Sequence, residues 1–233
     1  MLIKNLTLSM LFLSLFMMGC SKSQQARKVE TSGFLGDYSI LKTGEEDQAL
    51  LTYRKSSFGS NKYNKIIIDP TTIWMGKDSK LSKLKPEERQ KIADNLQSYL
   101  VEEIGKIMTI TKQSGPDTIK LQAAITDVRF SKPVLDTIST IVPYGIAISL
   151  IKEAITGTPS SVGGSSIEVK ISDSMSGEII AAAVDKRVGS KRLDGDIINK
   201  RSDVNEVLKF WAKSAAYQIC MTKKLNKCTK PKS

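Results

Sequence analysis

The sequence predicts an α/β (α+β) fold in two layers, in which two long helices pack on one face of a mixed sheet of four to five strands. Two observations predict this class. Several short segments are rich in isoleucine or alternate apolar and polar residues, as strands do. Two longer segments repeat apolar residues at three- and four-residue steps, as amphipathic helices do. The chain of 233 residues is long enough for one such domain with a buried core.

Four segments predict the strands. Residues 65–69 contain three isoleucines and end at an Asp-Pro pair, which is typical of a strand in a central position with apolar residues on both faces. Residues 118–126 alternate cleanly and predict a half-buried strand. Residues 167–172 and 178–187 flank a turn and predict a hairpin. The alanines of its second arm suit a helix that packs closely over it.

Two segments predict the helices. Residues 86–108 begin with Pro86, which suits the first helical position, and carry one apolar face of isoleucine and leucine. A second helix begins at Asp203, which has Glu206 three residues later as in a capping box. Trp211 falls on the apolar face of this helix, so we expect it in the core.

Residues 133–157 form a strongly apolar stretch with two interpretations. It is either a buried helix pair or an amphipathic segment that lies on a membrane or a partner. Asp136, Pro143, Lys152 and Glu153 argue against a membrane-spanning helix, because charged residues and a proline are costly there.

The first 19 residues are typical of a secretory signal peptide. Lys4 supplies a positive charge, Leu6–Met18 is apolar, and Gly19 is a small residue before Cys20. The apolar run is shorter than the roughly 20 residues that span a bilayer. A cysteine at this boundary resembles the bacterial lipobox, although Met17 stands where leucine is usual. The resemblance implies cleavage before Cys20 and its acylation by fatty acids such as palmitate; an ordinary signal peptide or an uncleaved anchor is the alternative.

The residue after Cys20 indicates in which membrane a lipid anchor would lie. Ser21 stands where aspartate is the usual mark of inner-membrane retention. The lipobox resemblance therefore implies a lipid anchor in the outer membrane of a Gram-negative bacterium, with the domain facing the periplasm. We expect four parts: a signal peptide at 1–19, a lipidated flexible tether at 20–32, a single periplasmic α/β domain at 33–225, and a basic tail at 226–233.

Composition limits the function classes. The formal net charge is +11, which favours anionic surfaces such as phospholipid or lipopolysaccharide head groups; nucleic acid is not an expected partner of an exported chain. The chain has no histidine, which excludes Ser-His-Asp and Cys-His catalysis and histidine-ligated zinc. It also has no calcium-binding or phosphate-binding loop motif. We expect no enzyme, no metal and no cofactor.

The three cysteines divide between two roles. If Cys20 carries lipid, Cys220 and Cys228 remain. An even remainder in an oxidising compartment predicts a disulfide between them, and two free thiols are the alternative.

Residues 31–42 read TSGFLGDYSILK, and this stretch resembles the opening signature of a family of bacterial lipoproteins of unknown function, DUF3313. Later segments agree with the family in order and spacing. These are residues 63–70, 124–128, 167–169, 173–178 and 210–212. The resemblance implies location and fold but no chemistry. Phe34, Asp37 and Tyr38 lie in the signature and are candidates for a binding site; alternatively, they fasten the N-terminal segment to the core.

These observations favour a non-enzymatic, lipid-anchored protein that acts as an accessory or scaffold subunit of a cell-envelope complex, with an envelope protein as its partner. The first alternative is a binding module for anionic lipid or lipopolysaccharide. The second is a histidine-free envelope hydrolase, which needs two carboxylates that face one pocket.

Overall fold

The structure is a computed structural model that describes residues 24–59, 62–76, 79–129, 164–188 and 200–232. In these ranges nine strands form one mixed sheet, accompanied by two α-helices. In chain order the elements are β1 (Gln24–Gln25), β2 (Lys42–Thr43), β3 (Leu51–Arg54), β4 (Lys65–Ile68), β5 (Thr72–Ile73), α1 (Pro86–Ile104), β6 (Thr109–Ile110), β7 (Thr118–Arg129), β8 (Gly164–Asp173), β9 (Ile179–Val188) and α2 (Lys200–Thr222).

The strands follow the order β2-β3-β9-β8-β7-β4-β6, with β1 paired to β9 and β5 paired to β7. The antiparallel pairs β7–β8 and β8–β9 are the longest and form the centre of the sheet. β4 is parallel to both of its neighbours, β6 and β7, as expected for an isoleucine-rich central strand. The predicted hairpin is β8–β9, and the predicted class, α+β with a mixed sheet, is confirmed.

The predicted count of four to five strands is too low. β1, β2, β5 and β6 have only two residues each, and β3 has four. Segments this short carry too few positions for a period-two pattern, so the sequence does not reveal them.

Both helices share one apolar core with the sheet. α1 begins at Pro86 as predicted and ends at Ile104, a turn before the end of the predicted segment. The buried core members include Ile92, Leu96, Leu100 and Ile104 of α1, Leu208, Trp211, Ala212 and Ile219 of α2, and Ile66, Ile119, Leu121, Ile125, Ile167 and Ile171 of the strands. The expectation that both helices pack on one face stays a prediction. The apolar stretch at 133–157 lies outside the described residues.

Residues 24–32, which were expected in a flexible tether, are attached to the sheet. Gln24 and Gln25 pair with Val188 and Arg187 as β1. Ala26 is 3% exposed, and its N–H donates to the carbonyl of Lys186 at 2.9 Å. The prediction of a flexible tether is therefore wrong for residues 24–26, because their backbone groups bind to β9.

A second, smaller apolar cluster lies beneath the N-terminal segment. Leu35 packs with Ala182 and Val184 of β9, and the partly buried Phe34 and Tyr38 join it. Successive side chains of a strand point to opposite faces of the sheet. Residues 29–41 therefore cover one face of β9, and α2 covers the other face.

Asp173 closes the β8–β9 hairpin and is 6% exposed. Its Oδ1 accepts hydrogen bonds from the N–H groups of Ser176 at 2.9 Å and Met175 at 3.0 Å. Its Oδ2 accepts from the hydroxyl of Tyr63 at 2.7 Å and from Nζ of Lys62 at 3.0 Å. These donors, the N–H of Ser176 first, hold the pKa of Asp173 well below its usual range.

We expect Asp173→Asn to lower the free energy of unfolding by about 1–3 kcal/mol at neutral pH, because an amide cannot accept hydrogen bonds at both positions. The folded-state pKa is lowered, so the carboxylate contributes its full stability above the unfolded pKa of about 3.9 and loses it as the pH falls further. The variant should lack this part of the acid sensitivity.

Urea unfolding at neutral pH and at pH values below 4 measures both effects. Asp94→Asn on the exposed side of α1 is the matched control, and we expect it to follow the wild type. An Asp173→Asn variant that loses as much stability in acid as the wild type would contradict the assignment.

Candidate functional site

A cleft with a volume of about 700 Å³ lies between α2 and the sheet, and we call it the α2 cleft. Residues of β3, β8 and β9 form its floor, residues of α2 form its roof, and residues 46–49 with Lys230 and Pro231 form its outer wall. Its volume lies within the range of about 300–1,000 Å³ that is usual for small-molecule sites. The α2 cleft is therefore the candidate functional site.

Small residues on the floor leave this space open. Ala181 and Ala183 of β9 line the cleft beneath Ser214 and Ala215 of α2. The alanine pattern of β9 predicts a helix packed closely over the strand. In the structure their short side chains border the cleft instead, and the pattern alone cannot distinguish the two outcomes.

Asp185 fixes one end of the cleft and is 4% exposed. Its Oδ2 accepts a hydrogen bond from Nε1 of Trp211 at 2.7 Å. Its Oδ1 accepts from Nε2 of Gln25 at 2.8 Å and from the N–H of Leu50 at 3.3 Å. One carboxylate therefore joins α2, β1 and the residue before β3 to β9.

Arg187 lies beside Asp185 on the same face of β9 and is 5% exposed. Its guanidinium carbon lies 3.6 Å from the ring centroid of Phe210, in a cation–π contact. Burial lowers the pKa of Arg187, and the charge of Asp185 opposes this shift. The two buried charges have opposite signs, and the attraction of Asp185 offsets part of the cost of burying Arg187.

The other end and the outer wall of the cleft are polar and exposed. Arg54 donates from Nη1 to Oγ1 of Thr222 at 3.0 Å. Nζ of Lys230 lies 2.6 Å from Oδ1 of Asp47, and Nε2 of Gln218 donates to the carbonyl of Asp47 at 3.0 Å. The loop at residues 46–49 and the C-terminal residues around Lys230 are thus held against α2.

The structure joins Cys220 and Cys228 in a disulfide, as the sequence predicts, with Cα atoms 5.6 Å apart. Cys220 lies on the last turns of α2 and is 3% exposed. The bridge holds the chain that follows α2 against the helix. It therefore helps to bring Lys230 and Pro231 to the wall of the cleft.

The candidate residues of the N-terminal signature lie apart from the lining of the α2 cleft. The Tyr38 hydroxyl donates to Oε2 of Glu168 at 2.6 Å and accepts from the N–H groups of Gly33 at 2.7 Å and Leu35 at 3.3 Å. Glu168 is fully buried and also accepts from the N–H of Ser32 at 2.6 Å. Burial first, and then the hydrogen bond to Glu168, raise the pKa of Tyr38.

Phe34 and Asp37 have different surroundings. The Phe34 ring meets the ring of Trp74 edge-on, with centroids 5.6 Å apart, and Nζ of Lys170 lies 4.8 Å from its centroid. Asp37 is exposed and accepts a hydrogen bond from the N–H of Ser39 at 2.8 Å, and the hydrogen bonds of Ser39 lower its pKa. The contacts of Phe34 and Tyr38 fasten the segment to the sheet, which is the alternative given for them above. A binding role for the three stays a prediction.

Sequence reasoning missed Glu168 and Asp185 as buried groups. Glu168 alternates with isoleucine and valine in β8, a pattern that predicts a solvent-facing side chain. The segment around Tyr38 covers that face. The aromatic and apolar residues of the N-terminal signature are the one signal for such a cover.

Among the described residues, no group of three or more histidine, cysteine, aspartate or glutamate side chains is placed to hold a metal ion. In the same residues no helix has the length and apolar character needed to cross a membrane. Cys20, the predicted lipidation site, lies outside the described residues.

The family model described as a protein of unknown function, DUF3313, matches residues 30–215. No curated protein matches the chain. Among solved structures, the PelC dodecamer from Paraburkholderia phytofirmans is 8% identical, with a TM-score of 0.40 over 76% of this chain and 96% of that chain. A Xanthomonas campestris protein of family DUF330 is 13% identical, with a TM-score of 0.38 over 69% of this chain and 85% of that chain. At these TM-scores the similarities carry no argument about function.

We expect Tyr38→Phe to release the N-terminal segment. The variant loses one hydroxyl that serves two backbone N–H groups and a buried carboxylate, so the free energy of unfolding should fall by about 1–3 kcal/mol. Hydrogen exchange at the amides of Gly33 and Leu35 should become faster. Tyr99→Phe on α1 is the matched control, since the cation–π contact of Tyr99 with Lys209 needs only the ring. Unchanged exchange at the two amides would show that the hydroxyl does not hold the segment.

Proposed function

The chain belongs to DUF3313, a family of unknown function, and we propose that it is an exported, lipid-anchored protein of the bacterial cell envelope. It acts as a non-enzymatic accessory or scaffold subunit of an envelope complex. Its domain faces the periplasm from the outer membrane.

The division of the cysteines carries this proposal. Cys220 and Cys228 form a disulfide, and disulfides persist in oxidising compartments such as the periplasm. Cys20 is the one cysteine outside this pair, and it follows an apolar run and a glycine. It is therefore the acceptor for the lipid. More than one acyl chain on this residue gives a firm anchor, because each buried CH₂ contributes about 0.8 kcal/mol.

The buried acids support a scaffold or binding role. Asp185 accepts three hydrogen bonds from Trp211, Gln25 and Leu50. Glu168 accepts two hydrogen bonds from the N-terminal segment. A glycosidase instead needs a pair of carboxylates directed at substrate. In this protein Glu168 and Asp185 instead hold elements of the fold together.

A binding module for anionic lipid is the second candidate function. The volume of the α2 cleft and the exposed Arg54 at one end of it favour this candidate.

Metabolic labelling with alkyne palmitate tests the anchor. We expect the wild-type chain to carry the label and to sediment with membranes. Cys20→Ala should carry no label and keep the mass of the uncleaved precursor. Cys228→Ser is the matched cysteine control and should be labelled like the wild type. Label on Cys20→Ala would contradict the anchor.

In-cell crosslinking followed by mass spectrometry tests the accessory role. We expect the wild-type chain to capture one abundant envelope protein that Cys20→Ala does not capture, since the anchor places the domain beside its partner. Turnover of an envelope substrate by the purified protein would contradict a non-enzymatic role. Capture of lipid alone, with no protein, would favour the binding module.

A further inference from the structure

The interior of the α2 cleft is apolar and reaches the core of the domain. Leu100, Leu121 and Ile219 lie buried at its base, and the partly exposed side chains above them are also apolar: Val169, Ala181, Ala183, Phe210 and Ala215. Apolar surface in contact with water costs about 25 cal/mol per Å². An apolar ligand that displaces water from this interior therefore gains free energy.

The cleft is also long. On α2 its lining runs from Phe210 to Thr222, which is about 18 Å at the helical rise of ~1.5 Å per residue. On β9 it runs alongside, from Ala181 to Arg187, which is about 20 Å at ~3.3 Å per residue. A lipid acyl chain fills half of a hydrocarbon core that is ~30 Å thick, or about 15 Å. The cleft thus has the length of one acyl chain.

Charged groups lie at both ends of this space and on its outer wall, where Glu46 and Asp47 line the cleft and Asp47 is paired with Lys230. At the Phe210 end, Asp185 and Arg187 are buried and their charges oppose each other. At the Thr222 end, Arg54 is exposed. The first end can receive the end of a chain without an unpaired charge, whereas the second presents a cation to solvent.

We propose that the α2 cleft binds one fatty acyl chain whose anionic head group lies at Arg54. A free fatty acid and an anionic phospholipid share this chemistry. Ala183 lies on the floor of the cleft, and its methyl side chain leaves room for the acyl chain. The proposal does not depend on the anchor at Cys20, so the palmitate labelling of Cys20 and the experiment below can fail independently.

The test uses full-length protein in nanodiscs of zwitterionic phosphatidylcholine. One arm adds palmitic acid that carries a diazirine, and the other adds phosphatidylglycerol that carries the same modified chain. After irradiation, mass spectrometry maps the adducts. We expect adducts on peptides that contain residues 181–187 and 210–222. The arm that labels these peptides more strongly identifies the source of the chain.

Two variants decide the outcome. Ala183→Leu fills the floor of the cleft and should lower labelling of these peptides by about tenfold, because the added carbons occupy the space of the chain. Ala183→Ser keeps the volume and is the matched control. Arg54→Gln should lower labelling by the fatty acid about two- to fivefold. It should leave labelling by the corresponding uncharged diazirine alcohol unchanged.

Urea unfolding of each variant shows whether it folds. If Ala183→Leu does not fold, the result with Arg54→Gln alone tests the proposal. Three results would overturn the proposal. The first is an absence of adducts on the cleft peptides. The second is labelling that a folded Ala183→Leu variant leaves unchanged. The third is an equal effect of Arg54→Gln on the acid and the alcohol.

Discussion

The register of β8 against β9 is the constraint on which the rest of the structure depends. The pairing extends from Gly164 opposite Val188 to Ser172 opposite Ile179. It places Val184 under the N-terminal segment and Asp185 under Trp211. A shift of one residue would exchange the two faces of a strand. The buried charge would then meet an apolar cluster, so the hairpin determines where both covering layers dock.

Two buried carboxylates secure these layers from opposite faces. Glu168 lies opposite Val184 in the ladder, and Asp185 lies opposite Ile167. Each accepts its hydrogen bonds from groups far away in sequence: Tyr38 and Ser32 for Glu168, and Trp211 for Asp185. A buried acceptor without donors costs about 1–3 kcal/mol. The carboxylates thus make each docking geometry specific, whereas apolar contacts alone would permit sliding.

The sequence predicted the elements that carry a long periodic signal. The strands from Thr118 and Ile179 and the helix from Pro86 have enough positions to show their period. The four-residue strand from Lys65 was predicted from its three isoleucines instead. The short strands have too few positions to show a period. The pairing of residues 24 and 25 with β9 is also not predictable from the sequence, because backbone pairing leaves no mark in the pattern of side chains.

The candidate site was less predictable than the fold. The pairing of Cys220 with Cys228 was predicted from the number of cysteines and from the oxidising compartment that the N-terminal sequence leads us to expect. The burial of Glu168 depends on a segment 130 residues earlier that covers it, as the bond from Tyr38 shows. The alanines of β9 indicate that small side chains lie on this face of the strand. Whether a helix or an open space lies above them depends on how the hydrogen bond from Trp211 to Asp185 positions α2. Such properties arise from contacts between distant parts of the chain.

The pairing of β1 also fixes a distance. Gln24 lies opposite Val188, at the end of β9. Four peptide steps separate it from Cys20, and a chain spans at most ~3.6 Å per residue, so the two Cα atoms lie within about 14 Å. If Cys20 carries the proposed lipid, the Val188 end of β9 lies close to the membrane surface. In that case the three residues between Cys20 and Gln24 limit how far this end of the sheet lies from the membrane.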